Sequence, residues 1–215
     1  KNRCEPLSEL GAKSISLGIL ASHGGTNLQA IIDACDNGFL DANVAVVVSN
    51  NSKSYSLQRA KNSSIPAFHL SSQTHSSEKD LDLAIEGIFK KYEVDLIILA
   101  GYMKLIGPAV LKTFHNRVIN SHPALLPRYG GKGMYGDRVH EAVVKDRSHQ
   151  SGITIHLVDE DYDNGAIICQ KIVAVDPFGG VDSVRNKIQQ HEHDFWVETL
   201  NKIQKGEIDL DKVGV

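Results

Sequence analysis

Two side chains at the end of a predicted strand carry the most specific chemical signal in this chain. Asn120 and His122 lie two positions apart within the segment VINSHPALLP. In extended backbone, residues with this spacing point to the same face, so an amide and an imidazole would share one pocket. An amide N–H can stabilise a developing oxyanion, and an imidazole can move a proton near neutral pH. The pair favours acyl-transfer chemistry, although a strand cap and a buried loop histidine would leave the same pattern.

A carboxylate that could complete this site lies in the acidic turn formed by residues 159–165. If Asp163 reached His122, its opposite charge would favour the protonated imidazole. The alternative is a solvated turn between two strands. The two residues are far apart along the chain, so the pattern alone leaves both interpretations open.

A glycine-containing loop, residues 22–27, lies between a predicted strand and a predicted helix. Glycines let backbone N–H groups approach an anion, and the helix N-terminus adds a positive partial charge. The loop has neither the G-x-G-x-x-G pattern nor the Walker spacing, so dinucleotide or triphosphate binding is not supported. It is either an ordinary strand-to-helix turn or a site for a single phosphate monoester.

Further polar and apolar residues have either a structural or a ligand-binding role. Gln189 and Glu192 are three residues apart on a predicted helix and share a face, which is exposed to solvent or contacts a polar ligand. The segment His191-Glu192-His193 lacks the H-E-x-x-H spacing, so no metal site is expected. Residues 102–106 follow a predicted strand end and either pack in the core or form an apolar slot for a flat ring.

The composition is that of an ordinary water-soluble domain. The chain has 215 residues, of which 41% are hydrophobic and 23% charged, with a net charge of −3. This balance gives no electrostatic reason to expect nucleic acid or a membrane surface, and no apolar run approaches the roughly 20 residues of a spanning helix. Three widely spaced cysteines, Cys4, Cys35 and Cys169, indicate reduced thiols and a cytoplasmic compartment.

The order of predicted elements indicates an α/β fold. Strands are predicted at residues 14–22, 44–48, 65–70, 94–100 and 117–121, and helices at residues 53–62, 77–92, 107–114 and from about residue 27. Strands without polar alternation, each followed by a helix, predict a Rossmann-like, mostly parallel sheet with helices on both faces. Ligands would then bind at the carboxyl ends of the strands, beside the loops 22–26, 101–107 and 121–136.

The second half of the chain changes character. Residues 152–158 alternate between apolar and polar side chains, and residues 166–175 form a second extended run, which together predict an antiparallel extension of the sheet. A long C-terminal helix is predicted at residues 181–204. We predict one domain over residues 14–215, preceded by a flexible leader at residues 1–13. Because the chain begins with Lys1, the sequence leaves open the interpretation that a peptide targeting the protein to an organelle, for instance a plastid, has been removed.

Four segments together resemble one enzyme family. SHGGTNLQAI, LAGYMK, INSHPALLP and DYDNG, spread over residues 15–204, are similar to the phosphoribosylglycinamide formyltransferase family. The H-P-x-L-L-P element alone is shared by all folate-dependent formyltransferases and hydrolases. The glycine loop, the Gln189 and Glu192 pair and the chain length favour this member of the superfamily.

The resemblance implies transfer of a formyl group from 10-formyltetrahydrofolate to the amine of glycinamide ribonucleotide in purine biosynthesis, without a metal. It implies small-molecule partners and neither nucleic acid nor membrane. It implies a catalytic trio, Asn120, His122 and Asp163. The implied phosphate-binding residues are Gly25, Thr26 and Asn27, and the other implied contacts of the ribonucleotide are Gln189 and Glu192. The implied folate-binding residues are Met103, Lys104, Leu105, Ile106, Asn120, Asp159, Glu160, Asp161, Tyr162 and Asp163.

Three other functions are weighed against this one. A 10-formyltetrahydrofolate hydrolase, or another formyltransferase that uses the same folate, would carry the same H-P-x-L-L-P element. A catalytically silent folate- or nucleotide-binding module is the alternative from a different class, and it has no need for the complete trio. A dinucleotide-dependent oxidoreductase is disfavoured because its glycine motif is missing.

Overall fold

Seven strands and six helices follow one another in the computed structural model, which describes residues 14–214. The strands are β1 (Ile15–Ala21), β2 (Ala42–Ser49), β3 (Ala67–His69), β4 (Leu96–Leu99), β5 (Val118–His122), β6 (Gln150–Leu157) and β7 (Ile167–Ala174). The helices are α1 (Thr26–Asp36), α2 (Tyr55–Asn62), α3 (Glu78–Lys91), α4 (Pro108–Thr113), α5 (Asp137–Lys145) and α6 (Gly180–Gln204). The predicted leader, residues 1–13, lies outside the described residues, and the single domain over residues 14–215 stays a prediction.

The strands form one sheet in the order β3-β2-β1-β4-β5-β6-β7. The pairs from β3 to β5 are parallel, whereas β5 with β6 and β6 with β7 are antiparallel. The predicted fold class, a mostly parallel sheet with an antiparallel extension and a long C-terminal helix, is therefore confirmed. Because β1 lies between β2 and β4, the connections from β1 and β4 leave in opposite directions, and a crevice opens at their carboxyl ends.

Apolar side chains on both faces of the inner strands build two cores. In β4, Leu96 and Ile98 belong to the core that α1 and α6 cover, whereas Ile97 and Leu99 belong to the core that α3 and α4 cover. Both faces of the strand are thus removed from water. This explains why the strand sequence is continuously apolar rather than alternating.

Gly18 in the middle of β1 allows the closest approach between the sheet and α3. A Cβ atom at this position would lie 2.8 Å from an aromatic carbon of Phe89 and 2.9 Å from a methyl group of Val94. Phe89 is completely buried. The glycine therefore provides the space for the buried ring of Phe89.

Helix α5 was not predicted. Residues 121–136 are predicted to form a loop, and no element is predicted between that loop and residue 152. In the structure, Val139, His140 and Val143 are buried where α5 packs against α6. The four-residue spacing of Val139 and Val143 is a helical signal, but the segment is only nine residues long and follows the glycine-containing loop 121–136 directly, so it was not separated from that loop.

Strand β6 has a polar face that is buried rather than exposed. Apolar and polar side chains alternate along this strand, but every residue from Ser151 to Leu157 is buried. The hydroxyl of Thr154 donates to the carbonyl of Ala124 at 2.7 Å and accepts from the N–H of Leu126 at 3.0 Å. The polar positions of β6 consequently form hydrogen bonds inside the protein, next to the tip of β5.

Cys35 and Cys169 are free thiols, and burial is the main cause that raises the pKa of each, for Cys35 to about 11. Cys4 lies outside the described residues. Within residues 14–214, none of the helices combines the length and the apolar character needed to cross a lipid bilayer.

Candidate active site

A cavity of about 930 Å³ opens at the carboxyl ends of the parallel strands. Its size is within the range of small-molecule sites. The segments that line it are residues 23–27, 100–104, 120–123, 131–138 and 162–163, together with one face of α6. All three loops that were expected to surround a ligand therefore meet at this cavity.

Strand register places Asn120 and His122 on the same face of the sheet, as predicted. Asn120 lies opposite His156 of β6, and His122 lies opposite Thr154. Ser121, between them, is on the other face and contacts α6. Both Asn120 and His122 line the cavity, so the amide and the imidazole share the pocket that their spacing predicts.

Asp163 reaches His122 despite their distance along the chain. Its Oδ2 atom lies 3.3 Å from Nδ1 of the buried His122 ring. The other ring nitrogen, Nε2, lies 2.6 Å from the backbone carbonyl of Tyr129. A carboxylate and a carbonyl can only accept hydrogen bonds, so both contacts form together only when His122 carries hydrogens on both nitrogens. His122 therefore faces a hydrogen-bond acceptor at each of its ring nitrogens.

The carboxylate of Asp163 is held in place by its own backbone and by the loop above it. Asp163 has a left-handed backbone with φ of 54°, a conformation that is uncommon for a non-glycine residue and concentrated at functional sites. Its Oδ2 atom accepts the N–H of Gly131 at 3.0 Å. Burial by itself raises the pKa of Asp163, but contacts with His122 and His156 and the Gly131 N–H outweigh it and lower that pKa. Asp163 therefore remains ionised.

His156 is a site residue that the sequence analysis did not single out. Its Nδ1 lies 2.7 Å from the carbonyl of Leu157, so this nitrogen carries the hydrogen. Its Nε2 lies 3.2 Å from the amide nitrogen of Asn120 and 3.7 Å from Oδ1 of Asp163. The contact with Asn120 orients that amide beside the cavity. Only the pairing of β5 with β6 reveals the contact, and one sequence does not show strand register.

The glycine loop presents backbone N–H groups at the start of α1. Gly25 precedes the helix with φ of 66°, and a Cβ atom there would lie 2.5 Å from the Ser56 hydroxyl, so only glycine fits. Within the described part of the chain, the N–H groups of residues 24–28 have no hydrogen-bond partner. The Asn27 Oδ1 atom is also buried without a partner there. This N-terminus is therefore open to an anion.

Helix α2 turns these N–H groups toward the cavity by holding the loop carbonyls on its own side. The carbonyl of His23 accepts from the hydroxyls of Ser54 at 2.8 Å and Ser56 at 3.1 Å. The carbonyl of Gly24 accepts from Nε of Arg59 at 2.8 Å. In a trans peptide the N–H points opposite to the C=O, so the N–H groups of Gly24 and Gly25 face away from α2. Arg59 also places a positive charge behind the loop.

One face of α6 forms a wall of the cavity. Gln189 and Glu192 both line it, which confirms that they share a face of α6. Oε1 of Glu192 accepts from the Ser121 hydroxyl at 2.6 Å, and the buried Trp196 donates to that hydroxyl at 3.2 Å. Glu192 is thereby positioned directly beside the tip of β5.

The opposite wall is more apolar. Tyr102, Met103, Lys104 and Tyr162 line it. Burial raises the pKa of Tyr102 to about 12, so its phenol stays neutral. The Met103 N–H donates to the Ser22 hydroxyl at 3.0 Å, which joins this loop to the glycine loop. A flat, mostly apolar ligand suits this wall, with the Lys104 ammonium available to an anionic end.

Five of the residues that the family resemblance implies as folate-binding do not line the cavity. Ile106 is buried in the core beside α3 and α4, and Leu105 is half exposed. The carboxylate of Asp159 accepts from the Asp161 N–H at 3.0 Å and from Asn164 Nδ2 at 2.9 Å, so it builds the acidic turn. Glu160 and Asp161 are exposed on that turn. A ligand contact of Leu105, Ile106, Asp159, Glu160 or Asp161 stays a prediction.

Comparisons with known proteins agree on one family. Residues 16–200 match the formyl transferase family. The chain is 35% identical to the chloroplastic phosphoribosylglycinamide formyltransferase of Vigna unguiculata, across 98% of this chain and 68% of that protein. It is 34% identical to the phosphoribosylglycinamide formyltransferase of Haemophilus influenzae, across 90% and 89% of the two chains. The crystal structure of glycinamide ribonucleotide transformylase 1 from Symbiobacterium toebii superposes with a TM-score of 0.83 at 35% identity, covering 90% of this chain and 89% of that one.

Proposed function

The chain belongs to the phosphoribosylglycinamide formyltransferase family, and we propose that it transfers a formyl group from 10-formyltetrahydrofolate to the amine of glycinamide ribonucleotide. This is a step of purine biosynthesis. The observation that carries the proposal is the convergence of Asn120, His122 and Asp163 beside an anion-binding helix N-terminus in one cavity. This cavity would accommodate both a phosphorylated amine and a formyl donor.

The ribonucleotide phosphate binds the N–H groups at Gly25, Thr26 and Asn27. The partial positive charge of α1 and the Arg59 guanidinium behind the loop favour an anion at this point. Gln189 and Glu192 contact the rest of the nucleotide along α6. Anchoring the phosphate aims the glycinamide amine at the tip of β5, and orientation of this kind contributes several kcal/mol to well-positioned reactions.

The folate lies against Tyr102, Met103 and Tyr162, with its pterin ring in contact with the apolar surface. The Lys104 ammonium is placed to contact a carboxylate of the folate tail. The formyl group is then directed toward Asn120 and Asp163. The carbon arrives already activated, so no metal is required.

The amine nitrogen attacks the formyl carbon and produces a tetrahedral oxyanion. An amide hydrogen of Asn120 and the Nδ1–H of His122 donate to this oxygen. The Nδ1 to Asp163 distance of 3.3 Å is long for a charged hydrogen bond, so that hydrogen can be shared with the oxyanion. Collapse forms the new C–N bond and breaks the bond to the folate nitrogen. One proton leaves the amine and one is gained by the folate nitrogen, with Asp163 or water as carrier.

A cytoplasmic location is part of the proposal, and a plastid is the alternative because the Vigna unguiculata relative is chloroplastic. Imaging of the full-length protein with a C-terminal fluorescent tag distinguishes the two. A signal confined to plastids would contradict the cytoplasmic location.

The function is tested by incubating the protein with 10-formyltetrahydrofolate in the presence and absence of glycinamide ribonucleotide. We expect tetrahydrofolate and formylated ribonucleotide to appear in equal amounts, and only when the amine is present. Release of formate that is independent of the amine would identify a hydrolase instead. Tight calorimetric binding of both ligands without turnover would identify a catalytically silent binding module.

A further inference from the structure

His140 on α5 is buried but makes no hydrogen bond within residues 14–214. It is 4% exposed, and its Nδ1 atom is enclosed without a partner. His140 is one of the residues that line the cavity of Asn120 and His122. Buried polar groups in folded proteins nearly always have a partner, because an unpaired one keeps its full desolvation penalty. A histidine that only filled the core here would stabilise the fold less than an apolar side chain of similar size.

The surroundings of His140 favour a neutral imidazole ring. Asp137 lies one turn earlier on the same face of α5 and accepts from Nη1 of Arg185 at 2.6 Å. Asp182 also accepts a hydrogen bond from Arg185, so two carboxylates surround one guanidinium. Burial lowers the pKa of His140, and the charges of Arg185 and His122 lower it further although Asp137 opposes them. The neutral ring has one donor and one acceptor.

A hydroxyl group matches these requirements, because it donates and accepts and carries no charge. The phosphate of the ribonucleotide is bound elsewhere, at the start of α1. The part of that substrate between the phosphate and the amine is a ribose with two hydroxyls. A ribose held between the start of α1 and the tip of β5 therefore lies beside the wall formed by α5 and α6. His140, Gln189 and Glu192 line the cavity at this wall.

We propose that His140 positions the ribonucleotide by hydrogen bonding to a ribose hydroxyl. This inference rests on the proposed function and adds a residue of the otherwise unassigned helix α5 to the substrate site. His140 does not touch the reacting atoms, so its contribution is to binding and orientation rather than to the chemical step.

The test combines a variant with substrate analogues. We expect His140→Leu to raise the KM for glycinamide ribonucleotide about three- to tenfold, the value of one neutral hydrogen bond, with kcat and the folate KM nearly unchanged. With the 2′-deoxy or the 3′-deoxy ribonucleotide, whichever lacks the contacted hydroxyl, wild type and His140→Leu should have the same KM. His140→Gln should recover part of the loss, because its amide can also donate and accept.

The thermal stability of His140→Leu distinguishes a substrate-binding role of His140 from a structural one. Removing an unpaired buried polar group should leave the thermal midpoint of His140→Leu unchanged or raise it, whereas a structural histidine would lower it. His193→Leu is the matched control: His193 is on α6 and does not line the cavity, so its KM values should not change.

A measurement on the wild-type protein does not depend on any variant. We expect the ¹⁵N shifts of the His140 ring to change on adding glycinamide ribonucleotide and not on adding the analogue without the contacted hydroxyl. Unchanged shifts with the true substrate, or an equal loss in His140→Leu with the ribonucleotide and both analogues, would overturn the inference. Failure of the wild type to formylate the ribonucleotide would instead overturn the proposed function.

Discussion

The carboxylate of Asp163 contacts three other parts of the site. It faces His122 and His156 and accepts the N–H of Gly131, while the backbone of Asp163 occupies the left-handed region. The spacing of Asn120 and His122 predicted that they share a face, whereas only the resemblance to the formyltransferase family implied that Asp163 joins them. The roles of His156, Tyr129 and Gly131 could not be predicted, because they depend on the register of β5 with β6 and on a loop that folds back over the turn.

Asp163→Asn is the most selective change at this residue. Asparagine tolerates positive φ and keeps the shape of the side chain, so the turn should persist. Loss of the charge removes the carboxylate that contacts Nδ1 of His122, and we expect kcat to fall by on the order of 10²-fold. Steady-state kinetics measure the effect. Asp161→Asn on the same turn is the control and should keep the wild-type kcat; a similar fall in both variants would show that only the turn matters.

The charge of Asp163 also predicts a pH dependence of stability. Its pKa is lower in the folded protein than the value near 4 of an unfolded chain, so the carboxylate contributes stability above about pH 4. This contribution is lost as the pH falls toward the folded pKa. We expect the free energy of unfolding of the wild type to exceed that of Asp163→Asn at pH 7, by a margin that shrinks at pH 3. Urea unfolding at both pH values measures it, and a margin that grows in acid would contradict the assignment.

At the scale of the elements, α1 and α2 act together to form the proposed phosphate site. Helix α1 supplies unpaired N–H groups, and α2 holds the loop carbonyls on the other side. The strands and most helices were predictable because their apolar patterns are long. Helix α5 was not, and with it the sequence analysis missed His140 and one wall of the cavity. The contribution of α2 was also hidden, because a helix that packs behind a loop leaves no mark in the loop sequence.

Gly25→Ala tests the shape of this phosphate site. The new Cβ would lie 2.5 Å from the Ser56 hydroxyl and would require a left-handed alanine, so the loop must move. We expect the KM for the ribonucleotide to rise at least about tenfold, because several N–H contacts to the phosphate are displaced together. Gly38→Ala at the other end of α1 is the matched control, with φ of 72° and no neighbour within 4 Å. It should cost stability and leave the KM unchanged; equal KM values in both variants would remove Gly25 from the site.

At the scale of the whole molecule, one sheet with two cores holds loops from four strand ends around a single cavity. The parallel strands on one side position the glycine loop, and the antiparallel extension positions His156 and the turn with Asp163. Continuous apolar strands predicted that both faces would be covered. The buried polar face of β6 could not be predicted, because alternation in sequence does not say whether water or protein covers the polar side.

Gly18→Ala tests the close packing of this sheet against α3. The added methyl group would meet the ring of Phe89 at 2.8 Å, and overpacking of this kind costs about 1–3 kcal/mol. We expect the free energy of unfolding in urea to fall by that amount, while kcat per folded molecule stays close to the wild-type value. An unchanged free energy of unfolding would mean that α3 can move away freely.

The central claim is that Asn120 stabilises an oxyanion during formyl transfer. Its most direct test is the turnover of Asn120→Ala with both substrates saturating, together with calorimetric affinities for each. We predict a fall in kcat on the order of 10²- to 10³-fold with nearly unchanged binding of the ribonucleotide and the folate. Near-normal turnover in Asn120→Ala would contradict the account.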